Sequence, residues 1–346
     1  MKMAQREGVT TDDSCDLDME NLKHEFEDHL SVVVPCYNEA AVLEATISRL
    51  TTACQGSVSQ YEIILVDDGS TDSTWGVLQS AATIDDHIVG VRLSKNHGHQ
   101  LALLAGLAEV RGSVVLIIDA DLQDPPELLP DMLALLHADE VDVVYGKRRN
   151  RAGESFLKTA TAHAFYRMLT TATDVDIPLD TGDFRLMSRR MCDLLCAMPE
   201  RDRFTRGMVA WLGFKQVPIE YDRSARFAGF TKYTPRKMLG LAADAFLGFS
   251  LLPLRMAIVL SGLTFLFSIG VIGYSVWSWE AHQTIPGWAS IEVFSSIVAS
   301  AQFAVLGVIG EYIGRIYLEG KNRPLYLVRN ILDHRRSEAR AYPTAR

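Results

Sequence analysis

The chain is short of cysteines, and those it has do not form a framework. Cys15, Cys36, Cys54, Cys192 and Cys196 are odd in number, scattered, and make no C-x-x-C pair, which argues against disulfide scaffolding and a multi-cysteine zinc site. Cys192 and Cys196 share a helical face, but two thiols without further ligands read as small buried apolar residues. An excess of positive charge is also missing. With a formal net charge of -9, nucleic acid is not an expected partner, because phosphate backbones are held by massed Lys and Arg. Most of that charge is local: residues 1–29 hold nine Asp/Glu against three Lys/Arg, leaving the other 317 residues at -3. This acidic start lacks an apolar run, so no secretory signal peptide is expected and the globular part is placed in the cytosol.

Short apolar runs alternate with helical patterns, as in a parallel sheet with crossover helices. Strands are expected at His29–Pro35, Glu62–Asp67, Ile88–Leu93, Ser113–Asp119 and Val141–Gly146, and helices at Glu39–Cys54, Ser73–Ala82, His99–Glu109 and Glu127–His137. Such a doubly wound sheet gathers ligands at the carboxyl ends of its strands.

The second half lacks charge over two stretches, about 24 residues from Met256 to Trp279 and 18 from Val293 to Gly310. Each approaches the roughly 20 residues a helix needs to cross a hydrocarbon core. Trp277, Trp279 and Trp288 flank the connection like an aromatic belt, so a transmembrane hairpin is expected. The turn from Glu280 to Ala289 has no Lys or Arg, whereas Arg255, Arg315, Lys321 and Arg323 lie at the outer ends, which places both termini in the cytoplasm. Gln302, Gly307 and Gly310 would let copies of the chain pack together, making a homo-oligomer an option. Two further segments, 154–170 and 234–249, have basic, amphipathic patterns suited to an anionic membrane surface.

Chemistry is concentrated at strand ends. Leu116-Ile117-Ile118-Asp119-Ala120-Asp121-Leu122-Gln123-Asp124 ends an apolar run in spaced acids beside an amide, a hard oxygen set suited to Mg²⁺ or Mn²⁺ with phosphate oxygens completing the shell. Asp67-Asp68-Gly69-Ser70-Thr71 closes an earlier strand, with acids able to accept hydrogen bonds from a base or ribose and a glycine to turn the chain. With Pro35-Cys36-Tyr37-Asn38-Glu39 it outlines a nucleotide pocket. The histidines of Asn96-His97-Gly98-His99 have no third ligand nearby and read as a loop beside that pocket.

Taken together, Val34-Pro35-Cys36-Tyr37-Asn38-Glu39, Val66-Asp67-Asp68-Gly69-Ser70, Asn96-His97-Gly98 and Asp119-Ala120-Asp121-Leu122-Gln123-Asp124-Pro125 resemble the inverting family 2 glycosyltransferases. Asp180-Thr181-Gly182-Asp183-Phe184-Arg185-Leu186 and the terminal hairpin are similar to the polyprenyl-phosphate branch, which includes dolichol-phosphate mannose synthases and bacterial undecaprenyl-phosphate glucosyltransferases. The resemblance covers roughly residues 30–330.

It implies an α/β fold: a Rossmann-like GT-A catalytic domain with a mostly parallel sheet, interfacial amphipathic helices and a two-helix transmembrane hairpin. The divisions are an acidic tail at 1–29, a catalytic domain at 30–215, an acceptor loop and interfacial helix at 216–250, a hairpin at 251–315 and a cytoplasmic tail at 316–346. The donor would meet Pro35, Tyr37, Glu39, Asp68, Asp119 and Gln123, and Asp119, Asp121 and Gln123 would surround Mg²⁺ or Mn²⁺. Asp183 and Asp121 would be catalytic, while Arg203, Arg206, Arg226, Lys232 and Tyr233 would hold the acceptor phosphate. Phe230 departs from the Glu common at that point of the family loop. The implied partners are a UDP- or GDP-sugar, a polyprenyl phosphate lipid and the membrane. The implied reaction is inverting transfer of one sugar, glucose from UDP-glucose, to undecaprenyl phosphate. Mannose from GDP-mannose and a non-catalytic scaffold are the alternatives.

Overall fold

A computed structural model describes residues 26–138, 141–149, 181–201, 203–222, 252–280 and 288–334. The segments at 154–170 and 234–249, with Arg226, Phe230, Lys232 and Tyr233, lie outside these residues, as does most of the acidic tail.

The strands with the longest apolar runs form the centre. β1 (Phe26–Cys36) pairs in parallel with β2 (Val58–Asp67) and β4 (Val114–Ile117), and β2 pairs in parallel with β3 (Ile88–Leu93). Their apolar residues alternate between two cores. Val32 and Val34 of β1 and Ile63 and Leu65 of β2 enter one, while Val33, Ile64 and Val66 enter the other. Covering helices on both faces explain why these strands read as unbroken apolar runs. One face carries α1 (Leu43–Gln55), α2 (Thr74–Ile84) and α4 (Leu129–Leu136). The other carries α3 (His99–Leu107), α5 (Arg189–Ala197) and α6 (Thr205–Trp211). α3 lies so close to the sheet that a Cβ on Gly106 would come within 2.4 Å of Val33 Cγ1.

The sheet has eight strands in the order β7-β5-β6-β4-β1-β2-β3-β8. Five were expected, and the additional three are β6 (Thr181–Ser188), β7 (Gln216–Tyr221) and β8 (Val328–Leu332). β6 runs antiparallel between β4 and β5 (Val143–Arg148), and β7 is parallel to β5. Buried Asp183 and Arg185 break the apolar pattern that would have announced β6.

Three domain boundaries need correction. The stretch 216–250, expected as an acceptor loop and interfacial helix, begins with β7, so the catalytic sheet extends past residue 215. The expected tail 316–346 contributes β8, which pairs antiparallel with β3 and is tied further by an ion pair between Arg111 and Asp333. The expected tail 1–29 contributes the start of β1, where Phe26 aligns with Val58 and Asp28 accepts from His137 at 2.6 Å. Acids and basic residues are poor strand formers in isolation, so neither segment reads as a strand by itself. The strand expected to run to Asp119 ends at Ile117, leaving that acid just beyond the sheet.

Outside the sheet stand α7 (Leu252–Glu280) and α8 (Trp288–Gly320), in contact through Phe267 and Phe294 with ring centroids 5.6 Å apart. Among the described residues, Ile297–Gly320 is long and apolar enough to cross a membrane, with mean hydropathy 1.5, and Ala257–Phe267 is a shorter apolar stretch. Leu263, Phe265, Phe303 and Leu306 on these helices are all more than half exposed.

Candidate active site

Three loops meet at the carboxyl edge of the sheet. Asn38 occupies the left-handed region at φ 54, where its short polar side chain is tolerated. Its N–H donates to Ser70 Oγ at 2.9 Å, and its Oδ1 accepts from Thr71 N–H at 2.8 Å. Gly69, at φ 66, lies so close to the next loop that a Cβ would be 2.4 Å from the Lys95 carbonyl carbon. Asp68 is buried and accepts the backbone N–H groups of His97 and Gly98 at 2.7 and 2.9 Å. Burial raises its pKa above the ordinary range, against those two donors. Asp67, fully buried, accepts from Ser70 N–H at 2.9 Å and faces Arg92 at 3.3 Å, whose guanidinium lies over Trp75 at 5.2 Å.

A second cluster forms where α3, β6 and α6 converge. Asp183 Oδ2 lies 3.1 Å from His99 Nε2 and accepts from Gln100 Nε2 at 3.3 Å; its Oδ1 accepts from Arg206 Nε at 3.1 Å, with Arg185 at 3.9 Å. Burial alone would raise the Asp183 pKa, but Arg206 and the hydrogen bond from His99 hold it well below the usual carboxylate range. His99 also lies 3.6 Å from Asp119 Oδ1. Burial lowers its pKa, yet Asp183 and Asp119 together lift it to about 9. Asp119 is pushed up to about 6 by burial, opposed by His99 and reinforced by Asp183, Asp124 and Asp121.

This strand-end arrangement, with its paired acids and interlocked loops, can be compared with known proteins. A family profile described as "Glycosyl transferase family 2" matches residues 31–195. An uncharacterized glycosyltransferase, YkcC of Bacillus subtilis, is 44% identical over 302 residues, covering 86% of this chain and 92% of the relative. A bactoprenol glucosyl transferase of Shigella phage SfV is 33% identical over 305 residues, covering 87% of this chain and 98% of that protein. This chain is a family 2 glycosyltransferase. A solved mannosyltransferase from Pyrobaculum calidifontis shares 15% identity and a TM-score of 0.44 over 83% of this chain and 88% of its own, a likeness too distant to carry chemistry.

In the glycosyltransferase, the residues at Asp119–Asp124 fit a divalent cation. Asp119 Oδ1 is buried and accepts no hydrogen bond, and its carboxyl group is surrounded by other acids. A divalent ion would offset such crowded negative charge and suits hard carboxylate oxygens. Among the described residues no three His, Cys, Asp or Glu converge as a complete ligand set. The protein can supply part of the shell, and phosphate oxygens and water the rest. Thr46 Oγ1, on α1, donates to the Ala120 carbonyl at 2.8 Å and holds this turn, while Asp121 accepts from Gln123 N–H at 3.2 Å.

Pro35 is the penultimate residue of β1, and Tyr37 and Glu39 are half-buried just beyond the strand. Of the two described arginines expected at an acceptor phosphate, only Arg206 meets Asp183. Arg203 is buried and donates to the carbonyls of Met198 and Leu195, at 2.8 and 2.5 Å, beyond and within the end of α5. Asp183 lies on a strand between charged partners and caps no helix. The sequence sets the Asn96–His99 loop beside the pocket, because it directly follows a parallel strand, and it allows an ion pair of Asp183 with Arg185, which the structure has at 3.9 Å. It did not reveal that His99 meets Asp183, and it missed Gln100, Thr205 and Arg92 as members of these clusters.

Proposed function

We propose that this enzyme transfers one glucose unit from UDP-glucose to the phosphate of undecaprenyl, with inversion, at the cytoplasmic membrane face. The phage relative named a bactoprenol glucosyl transferase supports the acceptor and sugar. The observation that carries the membrane part is the path of the chain after α8. Ser94 N–H donates to Leu327 O at 2.8 Å and Leu93 pairs with Val328. The apolar helix therefore connects to the sheet at the same edge as Asp68 and Asp119. In this proposal α7 and α8 form a transmembrane hairpin with both termini cytoplasmic, and the remaining domain assignments follow the sequence-based ones, with the start of β1, β7 and β8 added to the catalytic sheet.

A phosphate oxygen of the lipid attacks the anomeric carbon, the bond from that carbon to the diphosphate oxygen breaks, and UDP departs with the electron pair. The acceptor phosphate, with a second pKa of about 6, is already largely ionised, so no strong base is needed. Asp183 stays ionised beside Arg206 and orients the acceptor in this scheme. Pro35, Tyr37, Glu39, Asp68 and Gln123 would line the donor. Arg206, with Arg226, Lys232 and Tyr233, would hold the acceptor phosphate against electrostatic repulsion from the donor. Mg²⁺ or Mn²⁺, when bound by Asp119 and Asp121, would neutralise charge on the diphosphate.

The test is transfer of radiolabel from a panel of UDP- and GDP-sugars into lipid, using full-length protein in detergent, undecaprenyl phosphate and either metal. Metal-dependent labelling from UDP-glucose that disappears in Asp121→Ala is expected. Labelling from GDP-mannose alone would replace the donor assignment, and no labelling from any donor would overturn the transfer proposal.

A further inference from the structure

We propose that Gln100 is a positioning residue that latches α6 to α3 and so sets Arg206 against Asp183. Its amide bridges two groups with opposite needs. Nε2 donates to Asp183 Oδ2 at 3.3 Å, and Oε1 accepts both the backbone N–H of Thr205, at 3.2 Å, and the Thr205 hydroxyl. The amide orientation follows from chemistry: an ionised carboxylate can only accept, and a backbone N–H can only donate. Arg206 supplies only donors, so it cannot make the same bridge.

The bridge joins distant parts of the chain, since Gln100 lies 83 residues before Asp183 and 105 before Thr205. It also does local structural work. Phe204 precedes α6 without a side-chain cap, leaving first-turn N–H groups in need of acceptors. Gln100 satisfies one of them from a neighbouring helix. Thr205 is buried, so water is poorly placed to replace that carbonyl. Arg206 follows immediately, and its direction is set by the start of α6. A shift of about 1 Å in such a group can cost on the order of 100-fold in rate.

The kinetic consequence rests on the transfer reaction proposed above, whereas the latch itself does not, so two measurements separate them. Hydrogen exchange followed by mass spectrometry on the full-length protein should show faster exchange over residues 205–211 in Gln100→Leu. In the same variant, kcat should fall on the order of 100-fold, with donor KM within about twofold of wild type. Gln100→Glu should keep exchange over 205–211 slow, because a carboxylate still accepts from Thr205, yet lose kcat through repulsion from Asp183. Thr205→Ser should retain activity, whereas Thr205→Val should lower kcat; this pair also decides the matter if Gln100→Leu does not fold.

Unchanged exchange in Gln100→Leu, or loss in Thr205→Ser equal to that in Thr205→Val, would overturn the latch. Faster exchange with unchanged kcat would overturn its catalytic consequence. If wild-type protein transfers no sugar to lipid, the functional proposal fails while the exchange result still decides the latch.

Discussion

The two sides of the active-site edge are built differently. Around Asp67 and Asp68, parallel neighbours β1, β2 and β3 bring short successive loops together, and most of the contacts are backbone N–H groups meeting side-chain acceptors. Around Asp183, residues 99, 100, 185 and 206 come from α3, β6 and α6 and interact mainly through charged or amide side chains. The first side is a folded backbone cradle, robust because each loop closes on the next. The second depends on buried charges that must all arrive together, since a buried ion left without its partner is costly.

The sharpest way to break this contrast is to remove charge on the second side. Asp183→Asn preserves shape but leaves Arg206 and Arg185 facing a neutral amide. Its kcat should fall by about 10²–10³-fold while circular dichroism remains native, on the scale of losing one electrostatic contact at a reacting centre. Retained kcat would show that this cluster is structural only.

Removal of residues 328–346 tests how far the backbone cradle depends on the chain beyond α8. It exposes the β3 edge and removes contacts of Val328, Ile331 and Leu332, a loss of roughly 3–5 kcal/mol by apolar burial. A lower denaturation midpoint and greater aggregation are expected, and an unchanged midpoint would show that β8 is dispensable.

On the cradle side, Gly69→Ala should destabilise by about 1–3 kcal/mol, through left-handed strain and overlap with the Lys95 backbone. Chemical denaturation in detergent measures it, and a loss indistinguishable from zero would show that the loops can move apart.

The smallest effect is expected at Asp72, which accepts from Thr74 N–H at 3.0 Å and Ala40 N–H at 3.3 Å. Asp72→Ala should cost about 0.5–1 kcal/mol, the scale of a helix-start hydrogen bond. Burial opposes ionisation of Asp72, but the Thr74 and Ala40 contacts together outweigh it and lower its pKa below the ordinary value. Its stabilisation is therefore present above the unfolded pKa of about 3.9 and is lost as pH falls through the lower folded value. Acid titration of stability in wild type and Asp72→Ala should converge in that range; parallel curves would remove the carboxylate from the explanation.

The parallel core was legible because its signals are local. Val32–Val34 and Ile63–Val66 are unbroken apolar runs that end in turn residues and acids, and strand-end topology then places Asp67, Asp68 and Asp119 near one edge. β6 was harder to read because its sequence contains Asp183 and Arg185, whose burial makes sense only once Arg206 and His99 are beside them. β8 is a strand of five residues that follows a long helix, and its partner β3 lies more than 230 residues earlier. No local pattern can announce a pairing of that kind.

Sequence by itself determined the apolar strands, the strand-end acids, two long uncharged stretches and membership of a family. Tertiary structure decided which arginine serves the cluster, turning Arg203 toward backbone carbonyls and Arg206 toward Asp183, and it made His99 and Gln100 part of the same site. The physical reason is range. Apolar periodicity and turn chemistry act over a few neighbouring residues, whereas the energy of a buried charge depends on which groups the whole fold brings within hydrogen-bonding distance.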